Sequence, residues 1–66
     1  MKTLKTIRQK NNLSYQAMAD LLKISKTFYW QIENNKRRLS YDLAVKISNI
    51  FKTTPDKIFY SEFNKK

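Results

Sequence analysis

Between Ser25 and Arg38 the sequence reads SKTFYWQIENNKRR, which gathers Lys26, Thr27, Trp30, Gln31 and Asn34 ahead of a basic run, Lys36, Arg37 and Arg38. The carboxamides of Gln31 and Asn34 each hold a donor beside an acceptor. Lys26 brings a point cation, Thr27 a hydroxyl and Trp30 a broad apolar plane. Such a set suits recognition of a flat, hydrogen-bonding edge. Enzyme chemistry is poorly supplied: the chain has no His, no Cys and no Gly, so it lacks an imidazole base, a thiolate and a glycine-rich phosphate loop. No catalysis, metal, cofactor or small-molecule substrate is expected.

A chain of 66 residues makes one domain, spanning 1–66. At that size only about 60% of the unfolded surface is buried, so the core must be small. Without cysteine, stability has to come from packed helices or from a second chain. Fourteen Lys and Arg against five Asp and Glu give a net charge of +9, which favours polyanionic partners. Charge at Lys2 and Lys5 interrupts any signal-peptide core, and no apolar run approaches the roughly 20 residues of a membrane span. A cytoplasmic protein without membrane contacts is expected.

Apolar residues recur at helical spacing in short segments, with nothing that alternates like a strand, so the chain should be all-α. Helix one runs from about Lys2 to Lys10, with Leu4 and Ile7 inward and Asn11-Asn12 as its stop. Ser14 caps helix two, which carries Ala17, Met18, Leu21 and Leu22. Ser25 caps helix three, which stops at Asn34-Asn35. After the basic loop, Ser40 caps helix four, with Leu43, Ala44, Ile47 and either Ile50 or Phe51 inward. Thr54-Pro55 opens a last helix containing Ile58 and Phe59. With no glycine available, Lys23, Asn35 and Lys52 are expected to take up turns that favour positive φ.

At about 100° per residue, Tyr29 and Ile32 share one side of helix three and Glu33 borders it, while Thr27 and Gln31 lie about 160° from Tyr29. Tyr29 is therefore the core aromatic of the FYW triplet, and Phe28 and Trp30 stand on the shoulders of an exposed polar face. On the second helix of a helix-turn-helix, that face suits the major groove of double-stranded DNA. Gln and Asn can pair with adenine, Lys can reach guanine, and apolar groups can touch a thymine methyl.

From Leu4 to Phe59 the sequence resembles the lambda-repressor-like, Cro/CI-type helix-turn-helix family. The resemblance lies in LS at 13–14, MA at 18–19, the L-x-I-S pattern from Leu22 to Ser25, IE at 32–33 and the closing DKIF. It implies a compact five-helix domain whose helices two and three form the helix-turn-helix. It also implies a regulator of transcription that binds a palindromic operator as a homodimer, in the manner of small phage or mobile-element repressors. Lys26, Thr27, Trp30 and Gln31 then fall at base-reading positions. Phosphate contacts are expected from Ser14, Tyr15, Gln16, Ser25, Phe28, Asn34, Lys36, Arg37, Arg38 and Ser40. Arg8 and Glu33 match a structural ion pair that joins helix one to helix three. The chain departs from the family pattern at Tyr15, where glutamine is common, at Lys23, where the turn glycine is usual, and at Trp30.

Trp30 has three readings: packing over Lys26, contact with a thymine methyl or sugar, or anchoring another protein. Near the C-terminus, Ile58 and Phe59 finish the core. Tyr60 and Phe63, with Ile58, are assigned to a dimer interface that takes in the tail 60–66. The alternative function is a protein-binding module, such as an antitoxin or a phage-encoded inhibitor, that uses these exposed aromatics.

Overall fold

The computed structural model describes residues 1–63, with side chains through Tyr60. Five helices follow one another: α1 Lys2–Lys10, α2 Tyr15–Leu22, α3 Lys26–Glu33, α4 Tyr41–Ile50 and α5 Pro55–Phe63. Among the described residues there is no strand, and no helix is long and apolar enough to cross a membrane.

Hydroxyl caps start the three middle helices. Ser14 Oγ accepts from the Ala17 amide at 3.0 Å, Ser25 Oγ from Phe28 at 3.0 Å and Ser40 Oγ from Leu43 at 3.2 Å. Each satisfies an N–H that the helix itself leaves without a partner. The helix ends share a second device. Asn12, Lys23, Asn35 and Lys52 all adopt left-handed backbone, with φ of 57°, 59°, 59° and 54°. After each of them the next amide reaches back into the preceding helix: Leu13 to the Arg8 carbonyl, Ile24 to Ala19, Lys36 to Gln31 and Thr53 to Ser48. This is the double-bonded Schellman termination, built here without glycine.

The core joins all five helices through Leu4, Met18, Ala19, Leu22, Tyr29, Ile32, Ala44, Ile47, Ile58 and Phe59. α2 packs on α3 and α4, while α5 closes against α1 and α4. Ile24, Leu13 and Leu43 are half-buried against this core, as are both Ile50 and Phe51. Leu21 is 55% exposed, because Met18, Ala19 and Leu22 define the inward stripe of α2 and Leu21 falls roughly 100° from its centre. Ile58, assigned above to a dimer interface, is only 4% exposed. Its surface is spent inside this chain, so that assignment is corrected. Tyr60 is exposed on α5, and the side chain of Phe63 lies outside the described residues.

Candidate nucleic-acid interface

α3 is anchored from inside by polar groups as well as by packing. Arg8 of α1 meets Glu33 in a bidentate ion pair, Nε to Oε1 at 2.8 Å and Nη2 to Oε2 at 3.0 Å, and its Nη1 donates to the Leu13 carbonyl at 2.7 Å. The Tyr29 hydroxyl donates to the same Glu33 Oε1 at 2.7 Å. Arg8 and Glu33 are both buried. The hydrogen bond to Glu33 holds the Arg8 guanidinium above its ordinary pKa. Burial, and then the bond to Glu33, pushes the Tyr29 phenol well above its ordinary value. Tyr15, at the start of α2, lies under this group: the Arg8 guanidinium carbon sits 4.4 Å from its ring centre, and the Tyr15 and Tyr29 rings are 6.2 Å apart. The Tyr29–Glu33 contact spans four residues on one helix face, so helical periodicity could have revealed it. The stacking of Tyr15 has no comparable signal in the sequence.

With Tyr29, Ile32 and Glu33 inward, the opposite side of α3 is left to solvent. Lys26, Thr27, Trp30 and Asn34 are exposed and Gln31 is half-exposed. Lys26, Thr27 and Trp30 line a groove of about 310 Å³. The Asn34 carboxamide is turned back on its own helix, its Nδ2 donating to the Trp30 carbonyl at 2.9 Å. Gln31 is tied across the loop: Arg37 Nε donates to Gln31 Oε1 at 3.1 Å, and the Arg37 guanidinium carbon lies 4.6 Å from the centre of the Phe28 ring. Phe28 is half-buried and acts as the platform for that cation.

The basic run continues the site beyond the end of α3. Lys36, Arg37, Arg38 and Ser40 are exposed, and together with Met1, Asn35, Leu39 and Tyr41 they line a concavity of about 810 Å³. This recess ends at the N-terminus of α4, whose backbone amides favour negative charge. Ser14, Gln16 and Ser25 are also exposed, with Gln16 Nε2 donating to Asp20 Oδ1 at 2.8 Å. Tyr15 is half-buried beside Arg8. Among the described residues no cluster of His, Cys, Asp and Glu could hold a metal ion.

Residues 4–58 match the helix-turn-helix family. The chain is 37% identical over 62 residues to the HTH-type transcriptional regulator AnsR of Bacillus subtilis (strain 168). That alignment covers 94% of this chain and 53% of AnsR, so the chain spans about half the length of its relative. No solved structure matches it. The match over nearly the whole chain and the five-helix architecture agree: this chain belongs to the Cro/CI-type helix-turn-helix family.

Proposed function

We propose that the chain is the sequence-specific, double-stranded DNA-binding unit of a transcriptional regulator, of the small repressor type found in phages and mobile elements. The observation that carries this reading is the outer face of α3: Lys26, Thr27 and Gln31 stand on the side opposite a rigidly tethered core face, and a run of three cations leaves its end. Lys36, Arg37 and Arg38, with the capped helix starts at Ser14, Ser25 and Ser40, supply phosphate contacts that set register. Lys26, Thr27, Trp30 and Gln31 then meet base edges in the major groove. The family membership and the similarity to AnsR, a transcriptional regulator, support the same reading.

The unit acts as a homodimer on a palindromic operator. Tyr60, exposed on α5, is an aromatic available for a twofold contact, and a dimer on a palindrome sets its two reading helices about 34 Å apart. Selection of bound duplexes from a random pool tests this directly. Enrichment of a palindrome supports both specificity and symmetry, whereas retention of all sequences alike refutes the reading. If a dimer neutralises about eight phosphates, log affinity falls against log salt with a slope near −7.

A second reading, an antitoxin or phage-encoded inhibitor that holds another protein, draws on Trp30, which is 40% exposed beside its groove. A partner that is retained from nuclease-treated host lysate and lost with Trp30→Ala favours it over the first.

A further inference from the structure

Arg37 belongs to a basic run whose simplest role is to neutralise phosphate. Its side chain does something more specific. It lies on Phe28 and reaches back over the loop to the carboxamide of Gln31. A guanidinium has only donors, so the oxygen of Gln31 must be the atom that faces it. The amide nitrogen, with its two N–H groups, is then the end left to meet a base. This geometry follows from the termination of α3: the left-handed Asn35 lets the Lys36 amide bond the Gln31 carbonyl at 2.7 Å, which brings the next residue, Arg37, alongside Gln31.

We infer that Arg37 is a specificity-determining residue, which orients Gln31 so that its position in the binding site prefers guanine to adenine. The proposal rests on the DNA-reading function above. A freely turning Gln pairs with adenine by accepting from N6 and donating to N7. With one lone pair of Oε1 taken by a cation and the oxygen turned toward the loop, the group that leads outward is the Nε2 amide, a donor. Guanine presents two acceptors there, O6 and N7, whereas the N6 amino group of adenine opposes the amide N–H groups of Gln31. The cation on Oε1 also polarises the amide and strengthens it as a donor.

The test uses the duplex recovered from the random pool. Gln31→Ala identifies the base pair that Gln31 reads, as the position whose preference flattens. Four duplexes that differ only there are then titrated with the wild type, Arg37→Ala and Phe28→Leu. The wild type should favour guanine over adenine about tenfold, within the range of a good side-chain pairing. Arg37→Ala should reduce that ratio at least fivefold, while the salt slope of the dimer falls by about two, one for each protomer. Phe28→Leu keeps the charge, so it should shift the ratio in the same direction at an unchanged slope. The readout is a ratio at one position, and a uniform loss of phosphate affinity cancels from it. Equal weakening on all four duplexes by Arg37→Ala, or a wild-type preference for adenine, overturns the proposal and leaves the DNA-binding function standing. A wild-type chain that selects no sequence overturns both.

Discussion

Replacing Glu33 with Gln keeps the side chain's length and removes its charge. In the folded chain the Glu33 carboxylate accepts three hydrogen bonds, from Arg8 Nε, Arg8 Nη2 and the Tyr29 hydroxyl. Gln can present its oxygen to two of these donors, but its amide nitrogen then faces Arg8 Nη2, donor against donor. The Arg8 cation is left buried without its counter-charge. Breaking a buried pair from one side costs about 3–5 kcal/mol. At about 0.05–0.15 kcal/mol per residue, a domain of this length has roughly 3–10 kcal/mol in total. Glu33→Gln should therefore remove a third or more of the stability and lower Tm by about 12–40 °C. Urea unfolding followed by circular dichroism measures the change. A triple variant, Arg8→Met, Tyr29→Phe and Glu33→Leu, removes both charges and the phenol together, leaves only the Leu13 carbonyl without its Arg8 donor, and should return to within about 2 kcal/mol of wild type. A Glu33→Gln loss below about 1 kcal/mol, or a triple variant no more stable than Glu33→Gln, would refute the view that the uncompensated Arg8 charge sets the cost.

Tyr29 makes stability depend on alkaline pH. Its phenol is held above the ordinary value of 10.0 when folded, so above pH 10 the unfolded chain binds fewer protons than the folded one. Stability should fall there by about 1.4 kcal/mol per pH unit. Tyr29→Phe should remove that slope and cost about 1–2 kcal/mol at neutral pH; equal slopes for both proteins in urea titrations between pH 9 and 11 would count against it. Lys52→Gly relieves a left-handed lysine, with φ of 54°. The relief of about 1–2 kcal/mol is partly offset by glycine's greater freedom when unfolded, leaving a net gain of about 0.5–1 kcal/mol. Lys52→Ala should be neutral by thermal unfolding, and a gain equal to that of glycine would place the effect in the side chain.

The helix limits were legible because the chain marks them chemically. Ser14, Ser25 and Ser40 are caps followed by apolar periodicity, and Thr54-Pro55 opens α5. Periodicity also separated Tyr29 and Ile32 from Thr27 and Gln31, because a short helix with one buried stripe leaves little choice. It failed where a contact depends on three-dimensional neighbours. Leu21 is as apolar as Leu22, yet only the latter meets the core. Ser48 is fully buried because its hydroxyl donates to the Ala44 carbonyl within α4 at 2.8 Å, so it leaves no orphaned group, and a polar residue type gave no hint of it. The Arg37–Gln31 bond crosses a loop whose course is set by Asn35, and no helical repeat extends through a left-handed residue.

The inner and outer faces of α3 use the same side-chain chemistry for different ends. On the inner face, Arg8 joins Glu33 beneath Tyr29, with the aromatic ring of Tyr15 alongside the cation. On the outer face, Arg37 joins Gln31 with Phe28 beneath it. The inner pair is buried and charged on both sides, so water cannot compete for it and its loss falls on folding. The outer pair is exposed and has one neutral partner, so it adds little to stability and its loss falls on where a carboxamide points. Tyr29 and Ile32 hold α3 by packing, and the bidentate contact of Glu33 with Arg8, with its 2.8 Å arm, adds a directional constraint that buried area does not supply. The buried pair thus constrains the roll of the helix, and the exposed pair sets the orientation of one group on it.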